Sequence, residues 1–406
     1  MAAPSPKRPR LADDALYPFQ RHLVTWAVGR KRAAIFADTG LGKTRIFLAW
    51  LDAVLQPGQL GLVVAPLATA RQVVAEARAI GMRAAVEKRD MMPRPSDLEA
   101  PQYADRPFVA VTTSERLRSG FDVSAFAAVV LDESAMLRGA GCARLLNGVT
   151  APYRLALTAT PCAAAPLEVV AHAAFLGVPF DEAAYFGSKR TPRPDREGAY
   201  LAALAEWSCW LRSPADIGFP LDAARFVLPP VTLSNVVVAA DGDVVGARAA
   251  AVAAIMADDG SPGPWVVWCR TNEESARIAA AVPGAVELKG AMKAEAKEAL
   301  LEAVAEGRPV AGAPVHVLVT KASIAGLGLN LQRVTRMVFA SLSPNYSTFY
   351  QAVRRSFRLG QAAPLTVYTV TTEAEAKTHA SIAAEHARAD GLWGALLAVM
   401  ASEHKR

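Results

Sequence analysis

Residues 32–50 read RAAIFADTGLGKTRIFLAW. The apolar run Ala33-Ala34-Ile35-Phe36 has the character of a short buried strand. It passes into Asp38-Thr39-Gly40-Leu41-Gly42, then Lys43-Thr44, and Ile46, Phe47 and Trp50 follow at helical spacing. A strand, a glycine-bearing loop and a helix in that order make a phosphate cradle. Gly40 and Gly42 let the backbone curl so that its N–H groups point inward, and the helix start adds unpaired N–H groups and a positive dipole end. Lys43 is placed to reach β- and γ-phosphates and the Thr44 hydroxyl to ligate Mg²⁺, which makes this the candidate ATP site. Such loops usually open on glycine, and Ala37 stands in that place here.

Outward from the loop, apolar strands alternate with helical segments: GLVVAP (61–66), PFVAVTT (107–113), FAAVVLDE (126–133) and YRLALTATP (153–161). Near-continuous apolar strands separated by helices predict an α/β fold with a parallel sheet covered on both faces. In such sheets ligands bind beyond the carboxyl ends of the strands. The polar and small-residue clusters sit there: Asp38 to Thr44, Pro66 to Arg71, Thr112-Thr113-Ser114, Asp132-Glu133 and Thr158-Ala159-Thr160. LAALAEWSCWLRS reads as a helix, and PADIGFPLDAARFVLPP as an extended connector ending at Pro229-Pro230. A second alternation begins at VTLSNVVVAA, with strands at 265–270, 285–290, 315–321, 335–341 and 365–371 and a helix from Ala294 to Glu306. The organisation read from this is a basic tail over 1–15, a first domain over 16–230 and a second over 231–406 that ends in helices.

Composition sets the class. The chain has 406 residues, 52% of them hydrophobic and 20% charged, which excludes a disordered protein. No stretch reaches the roughly 18–20 apolar residues of a membrane span, and no apolar segment follows the basic start MAAPSPKRPR, so neither a membrane nor a secretory leader is expected. Cys142, Cys162, Cys209 and Cys269 are scattered without zinc-ligand spacing and read as core thiols of a cytoplasmic protein. A net charge of +6 and a pI near 9.2 suit a polyanionic partner.

Asp132 can hold Mg²⁺ across from Thr44, and Glu133 can orient or deprotonate the attacking water. Arg355 and Arg358, within QAVRRSFRLGQ, are spaced to share one face of a helix and to stabilise γ-phosphate charge. Gln20, a short helix ahead of the loop, carries an amide able to meet an adenine edge.

In chain order these segments resemble the motifs of superfamily 2 helicases, and within them the Swi/Snf-like ATPases. The FQ segment with Gln20 resembles the Q motif, ADTGLGKT motif I, LVVAPLATARQVVAEA motif Ia and VTTSERL motif Ib. LDESAMLRG resembles motif II, RLALTATP motif III, WVVWCRTNEESARIA motif IV, TKASIAGLGLNLQ motif V and QAVRRSFRLGQ motif VI. The GLGLNL segment and the Q-x-x-x-R-x-x-R-x-G-Q pattern point to the Swi/Snf branch, in the compact form of bacteriophage and mobile-element proteins. The resemblance implies two tandem RecA-like domains with an ATP site in the cleft between them. It implies nucleotide contacts from Gln20, Asp38, Thr39, Gly40, Leu41, Gly42, Lys43, Thr44 and Gly328, completed by Arg355 and Arg358. It further implies coupling of hydrolysis to movement through Thr158, Thr160 and Gln351, and a nucleic-acid track along Pro66, Arg71, Thr112, Thr113, Thr320 and Lys321.

The activity so implied is an ATP- and Mg²⁺-dependent helicase or translocase on DNA, duplex and without sequence preference. A nuclease or a replication or recombination protein is the candidate partner, in a bacterial or phage-infected cytoplasm. A DEAD-box-like RNA helicase, a helicase subunit of a restriction or nuclease complex, and a non-enzymatic adaptor are the alternatives. The sequence departs from the family at Ala135, where relatives carry His, at Ala159, where Gly is common, and at Arg354, where an acidic residue is usual.

Overall fold

The apolar runs around the phosphate loop form one seven-stranded sheet in the computed structural model of the protein. The structure describes residues 15–86, 107–118, 123–138, 149–162, 165–187, 190–239, 242–261, 263–310, 315–322, 324, 331–343, 346–358, 360–375 and 394. The chain divides into two compact units, the first running to Phe226 and the second starting at Val227. Gly328, Cys142 and the helices expected at the C-terminal end lie outside the described residues, apart from Gly394.

The first unit runs α1 (Pro18–Arg30), β1 (Arg32–Ala37), α2 (Lys43–Val54), β2 (Leu60–Val64), α3 (Leu67–Ala79), β3 (Arg83–Val86), β4 (Phe108–Thr112), α4 (Ser114–Arg118), β5 (Ala128–Asp132), β6 (Tyr153–Leu157), α5 (Val169–Leu176), α6 (Glu197–Ala205) and β7 (Ser208–Leu211). Its sheet has the order β3-β4-β2-β5-β6-β1-β7 with every pairing parallel. β2 and β5 are buried along their whole length, as strands covered on both faces must be.

Two local readings are corrected. LAALAEWSCWLRS is not one helix: α6 ends at Ala205 and Ser208–Leu211 is the edge strand β7 beside β1. Continuous apolar character does not separate a short helix from a short strand, and Trp207 and Trp210 fill space beside Phe36 that a continued helix would leave. The stretch after it is not an extended connector either. It forms a 3₁₀ turn at Pro214–Ile217 and a helical turn at Pro220–Ala223, from which Asp222 accepts the backbone N–H of Phe19 at 2.9 Å. Phe226 packs edge-on against Tyr17 and Phe19.

The second unit runs β8 (Val231–Val238), α7 (Val244–Asp259), β9 (Trp265–Cys269), α8 (Asn272–Ala281), β10 (Ala285–Glu287), α9 (Ala294–Glu306), β11 (Val317–Lys321), β12 (Arg336–Phe339), α10 (Tyr346–Val353) and β13 (Leu365–Thr372). Its six-stranded sheet, again parallel, has the order β10-β11-β9-β12-β13-β8. At the carboxyl ends of β9, β12 and β13 the buried Glu274 accepts from Arg248 at 3.2 Å, the N–H of Arg270 at 2.7 Å and the hydroxyl of Ser341 at 2.8 Å. Arg248 also forms a two-pronged bond to Glu375. Removing one member of a buried charge pair leaves the other uncompensated, at a cost of about 3–5 kcal/mol. Glu274→Ala is expected to lower the stability of the second unit by that amount, read as faster hydrogen exchange in β9, β12 and β13 with β1, β5 and β6 unchanged.

Among the described residues no helix is long and apolar enough to cross a membrane. The described cysteines Cys162, Cys209 and Cys269 are buried and form no disulfide, and burial pushes the Cys209 thiol up to about 12, far from a reactive thiolate.

Candidate nucleotide site

Because every strand of the first sheet runs the same way, the loops that follow β4, β2, β5, β6 and β1 leave from one edge, in that spatial order. The phosphate loop, the acidic pair and the Thr158–Thr160 segment follow three adjacent strands. Asp132 is in register with Leu157, and Leu157 with Ile35, so Glu133, Thr158 and Phe36 share the next row.

The loop after β1 is held from inside. Asp38 accepts the N–H of Thr39 at 2.6 Å, and the Lys43 ammonium donates to the carbonyls of Ala37 at 3.0 Å and Asp38 at 3.2 Å. Gly40 and Gly42 have φ of +87° and +77°, in the left-handed region. A Cβ on Gly42 would lie 2.4 Å from the Gln20 amide nitrogen, so a side chain here would have to displace that amide from the Leu41 carbonyl. Gly42 is the N-cap of α2, and no side chain caps that helix, which leaves its first N–H groups for an anion. Lys43 and Thr44 open the helix, both half-buried.

Gln20 is buried, and both ends of its amide are engaged by the protein. The oxygen accepts from the N–H of Tyr17 at 3.1 Å and the nitrogen donates to the Leu41 carbonyl at 3.0 Å. The structure therefore places Gln20 as a strut between the start of α1 and the phosphate loop.

Asp132 is the last residue of β5. Glu133 follows in the left-handed region with φ +63°, one of two described non-glycine residues at positive φ, and Ser134 opens a 3₁₀ turn to Arg138. Thr158 donates its hydroxyl to the Glu133 carboxylate at 3.1 Å and accepts the N–H of Thr160 at the same distance. Of the two threonines expected to couple hydrolysis to movement, Thr158 thus touches Glu133 directly and Thr160 is tied to Thr158. Thr44 and Asp132 are hard oxygen donors, and no cluster of three or more His, Cys, Asp or Glu exists among the described residues. Few protein oxygens beside a phosphate cradle fit Mg²⁺, which keeps waters and takes its remaining ligands from substrate phosphates.

In the second unit Arg355 and Arg358 do not share a helix face. The helix α10 ends at Val353, and both arginines lie in the turn beyond it. Gln361 pins that turn by donating to the Val334 carbonyl at 3.0 Å, and Gly360, at φ +89°, lies so close to Gln332 that a Cβ would overlap its amide. Arg354 stacks on Tyr350 and Phe357, and Gln351 is half-buried on α10.

Of the residues expected along a nucleic-acid track, Thr112, Thr113 and Thr320 have buried side chains, the Thr320 hydroxyl donating to the Leu288 carbonyl at 3.4 Å. Pro66 is the N-cap of α3, Arg71 is exposed on that helix, and Lys321 bonds Asn272 at the end of β11. The cations, not the threonine hydroxyls, are what these strand ends offer outward.

Residues 17–167 match the family model described as DEAD/DEAH box helicase. That span runs from α1 through every motif loop of the first sheet's carboxyl edge. The match lies wholly within the first unit. Among solved structures the chain is similar to an ATP-dependent Type ISP restriction-modification enzyme, LlaBIII, bound to DNA, with a TM-score of 0.59 and 15% identity over 88% of this chain and 28% of that one. The chain thus spans under a third of that enzyme's length, and the likeness establishes the fold: two tandem RecA-like domains. The Sulfolobus solfataricus SWI2/SNF2 ATPase core in complex with dsDNA matches over 92% of this chain and 90% of its own, at 15% identity and a TM-score of 0.42. No curated protein sequence matches.

One pair of residues at this site is missing from the motif reading. Ser134 and His172 bond each other behind the acidic turn. Their one sequence signal is a lone histidine in the otherwise apolar stretch VVAHAAFLGV.

Proposed function

We propose that this chain is an ATP-driven motor that moves along duplex DNA without reading its sequence, in the manner of the Swi/Snf-like branch. The observation that carries the reading is the row at the sheet edge where Glu133, Thr158 and Phe36, two residues ahead of the phosphate loop, fall side by side on adjacent strands, with Thr158 bonded to Glu133. Within it Lys43 and the first N–H groups of α2 bind the β- and γ-phosphates, and Thr44 with Asp132 holds Mg²⁺. When bound, the ion neutralises charge on the phosphate oxygens. Glu133 aligns the attacking water and takes its proton, while Thr158 fixes the carboxylate. Arg355 and Arg358 are the second unit's contribution to the γ-phosphate. Because both units then answer to the same nucleotide, hydrolysis alternates their separation, and cations such as Arg71 and Lys321 hold the DNA phosphates in turn.

The test is ATP turnover without nucleic acid and with single-stranded DNA, duplex DNA and RNA, each at two salt concentrations. Duplex DNA is expected to raise turnover by about tenfold or more, with stimulation falling steeply as salt rises. Arg355→Ala is expected to remove the stimulated rate. Preference for RNA would replace this reading with an RNA helicase, and a flat response in all arms would remove the motor reading. A second reading, the motor part of a restriction-type assembly, draws on the DNA-bound restriction-modification enzyme, in which this fold accounts for 28% of the chain. A nuclease partner recovered with the protein from its host would favour it.

A further inference from the structure

His172 lies on α5 with no exposed surface, and both of its ring nitrogens are engaged. Nδ1 is 3.3 Å from the Glu168 carbonyl, one turn back, and Nε2 is 3.1 Å from the Ser134 hydroxyl. A carbonyl only accepts, so Nδ1 carries the proton. In the neutral ring Nε2 is then the acceptor, and Ser134 donates to it. The ring edge meets Phe36, on the strand that leads into the phosphate loop, at 5.1 Å between centroids and 84° between planes. His172 therefore stands between the strand of the loop and the turn of the acidic pair.

The turn needs an anchor. Glu133 occupies the left-handed region at a cost of roughly 1–2 kcal/mol for a residue with a Cβ, and such a conformation persists only where its surroundings over-determine it. On one side Thr158 holds the Glu133 carboxylate at 3.1 Å. On the other, Ser134, the next residue and fully buried, is held by His172. Ala135 leaves the fourth place of the motif without a polar side chain of its own. The helix that carries His172 is itself fixed from behind: the buried Arg154 donates to the Phe175 carbonyl at 2.8 Å and Arg32 to the Gly177 carbonyl at 3.2 Å. Arg32 opens β1 and Arg154 is the second residue of β6, so the anchor is tied to the two strands whose other ends lead to Thr158 and the phosphate loop.

We infer that His172 is a positioning residue for hydrolysis, which through Ser134 holds Glu133 in its strained, water-orienting conformation. The inference rests on the reading of Glu133 as the group that aligns the water. His172 touches neither nucleotide nor water in this role. A buried histidine that only fills space would act on folding alone, and the two roles separate by measurement.

The experiment compares full-length wild type with His172→Leu, His172→Gln and Ser134→Ala. It measures steady-state ATP turnover with duplex DNA, ATP affinity by equilibrium binding, and hydrogen exchange of residues 133–138. His172→Leu and Ser134→Ala are each expected to lower kcat by about tenfold, the worth of the one hydrogen bond that holds the turn, with KM and ATP affinity within twofold. A variant combining His172→Leu with Ser134→Ala is expected to lose no more than either single one. His172→Gln, whose terminal amide oxygen can stand where Nε2 does, is expected to recover most of kcat. Exchange in the 133–138 turn is expected to rise about tenfold in the first two variants while β5 is unchanged. Wild-type kcat in Ser134→Ala, or a kcat loss matched by the loss of ATP-binding protein, would overturn the inference. If His172→Leu does not fold, Ser134→Ala and His172→Gln decide it. If wild type itself turns over no ATP, the proposed function falls, and the exchange of the turn still decides whether Ser134 and His172 anchor it.

Discussion

Lys43→Ala is expected to reduce ATP turnover by about 1,000-fold or more while binding of duplex DNA is largely kept. In phosphoryl transfer the protein contributes placement and charge with little covalent chemistry, so one cation at the transferring group carries a large share of the barrier. The geometry around Lys43 makes the loss specific. Its ammonium lies 3.0 and 3.2 Å from the carbonyls of Ala37 and Asp38, inside the curve of the loop. The loop has a second brace in the Gln20 amide on the Leu41 carbonyl, so its backbone keeps its path without the lysine. What is removed is the charge. Arginine does not replace it, since a planar fork with five donors does not fit the room that a compact ammonium occupies between two carbonyls. Lys43→Arg is therefore expected to fall with Lys43→Ala. DNA retention, measured by anisotropy of a labelled duplex, depends on cations elsewhere. Full turnover in Lys43→Ala would mean that the loop after β1 is not the phosphate site.

The parts of the site that were legible in the sequence are those written in local pattern. Ala33 to Thr44 states a strand, a turn that demands glycine and a helix within one short stretch, and Asp132-Glu133 ends a run that is buried throughout. The order of motifs along the chain says nothing of their order in space. It is the crossovers from β1 over to β2 and back that place β6 beside β1 and β5 beside β6. What the pattern misled on has equally physical causes. Arg355 and Arg358 have helical spacing, yet α10 stops at Val353, because Gln361 and Gly360 close the chain onto Val334 and Gln332. Asp222 caps the start of α1 from far along the chain, a pairing with no local signature. The double tether of the Gln20 amide to Tyr17 and Leu41 has no local signature either. Ser134 and His172 meet only because α5 packs on the sheet beside β1 and β6.

Glu133→Gln is expected to lower turnover by about 1,000-fold, within the range that loss of a general base produces, and to leave ATP binding intact. The substitution changes very little else. Gln has the same length, and its amide oxygen accepts the Thr158 hydroxyl as the carboxylate does at 3.1 Å, so the side chain stays aimed. The left-handed backbone at φ +63° costs Gln what it costs Glu. The variant thus separates proton removal from placement. Thr158→Val tests the complement: the carboxylate remains, but nothing donates to it from β6, and turnover is expected to fall by only about tenfold, the worth of one hydrogen bond. Together the two order the contributions, with the base ahead of its support. Because Glu133→Gln binds ATP and does not release its γ-phosphate, it is also expected to hold duplex DNA more tightly with ATP than without. Turnover near the wild-type rate in Glu133→Gln would assign the water to another group. A tenfold fall in Thr158→Val together with a 1,000-fold fall in Glu133→Gln would fix Glu133 as the base and Thr158 as its support.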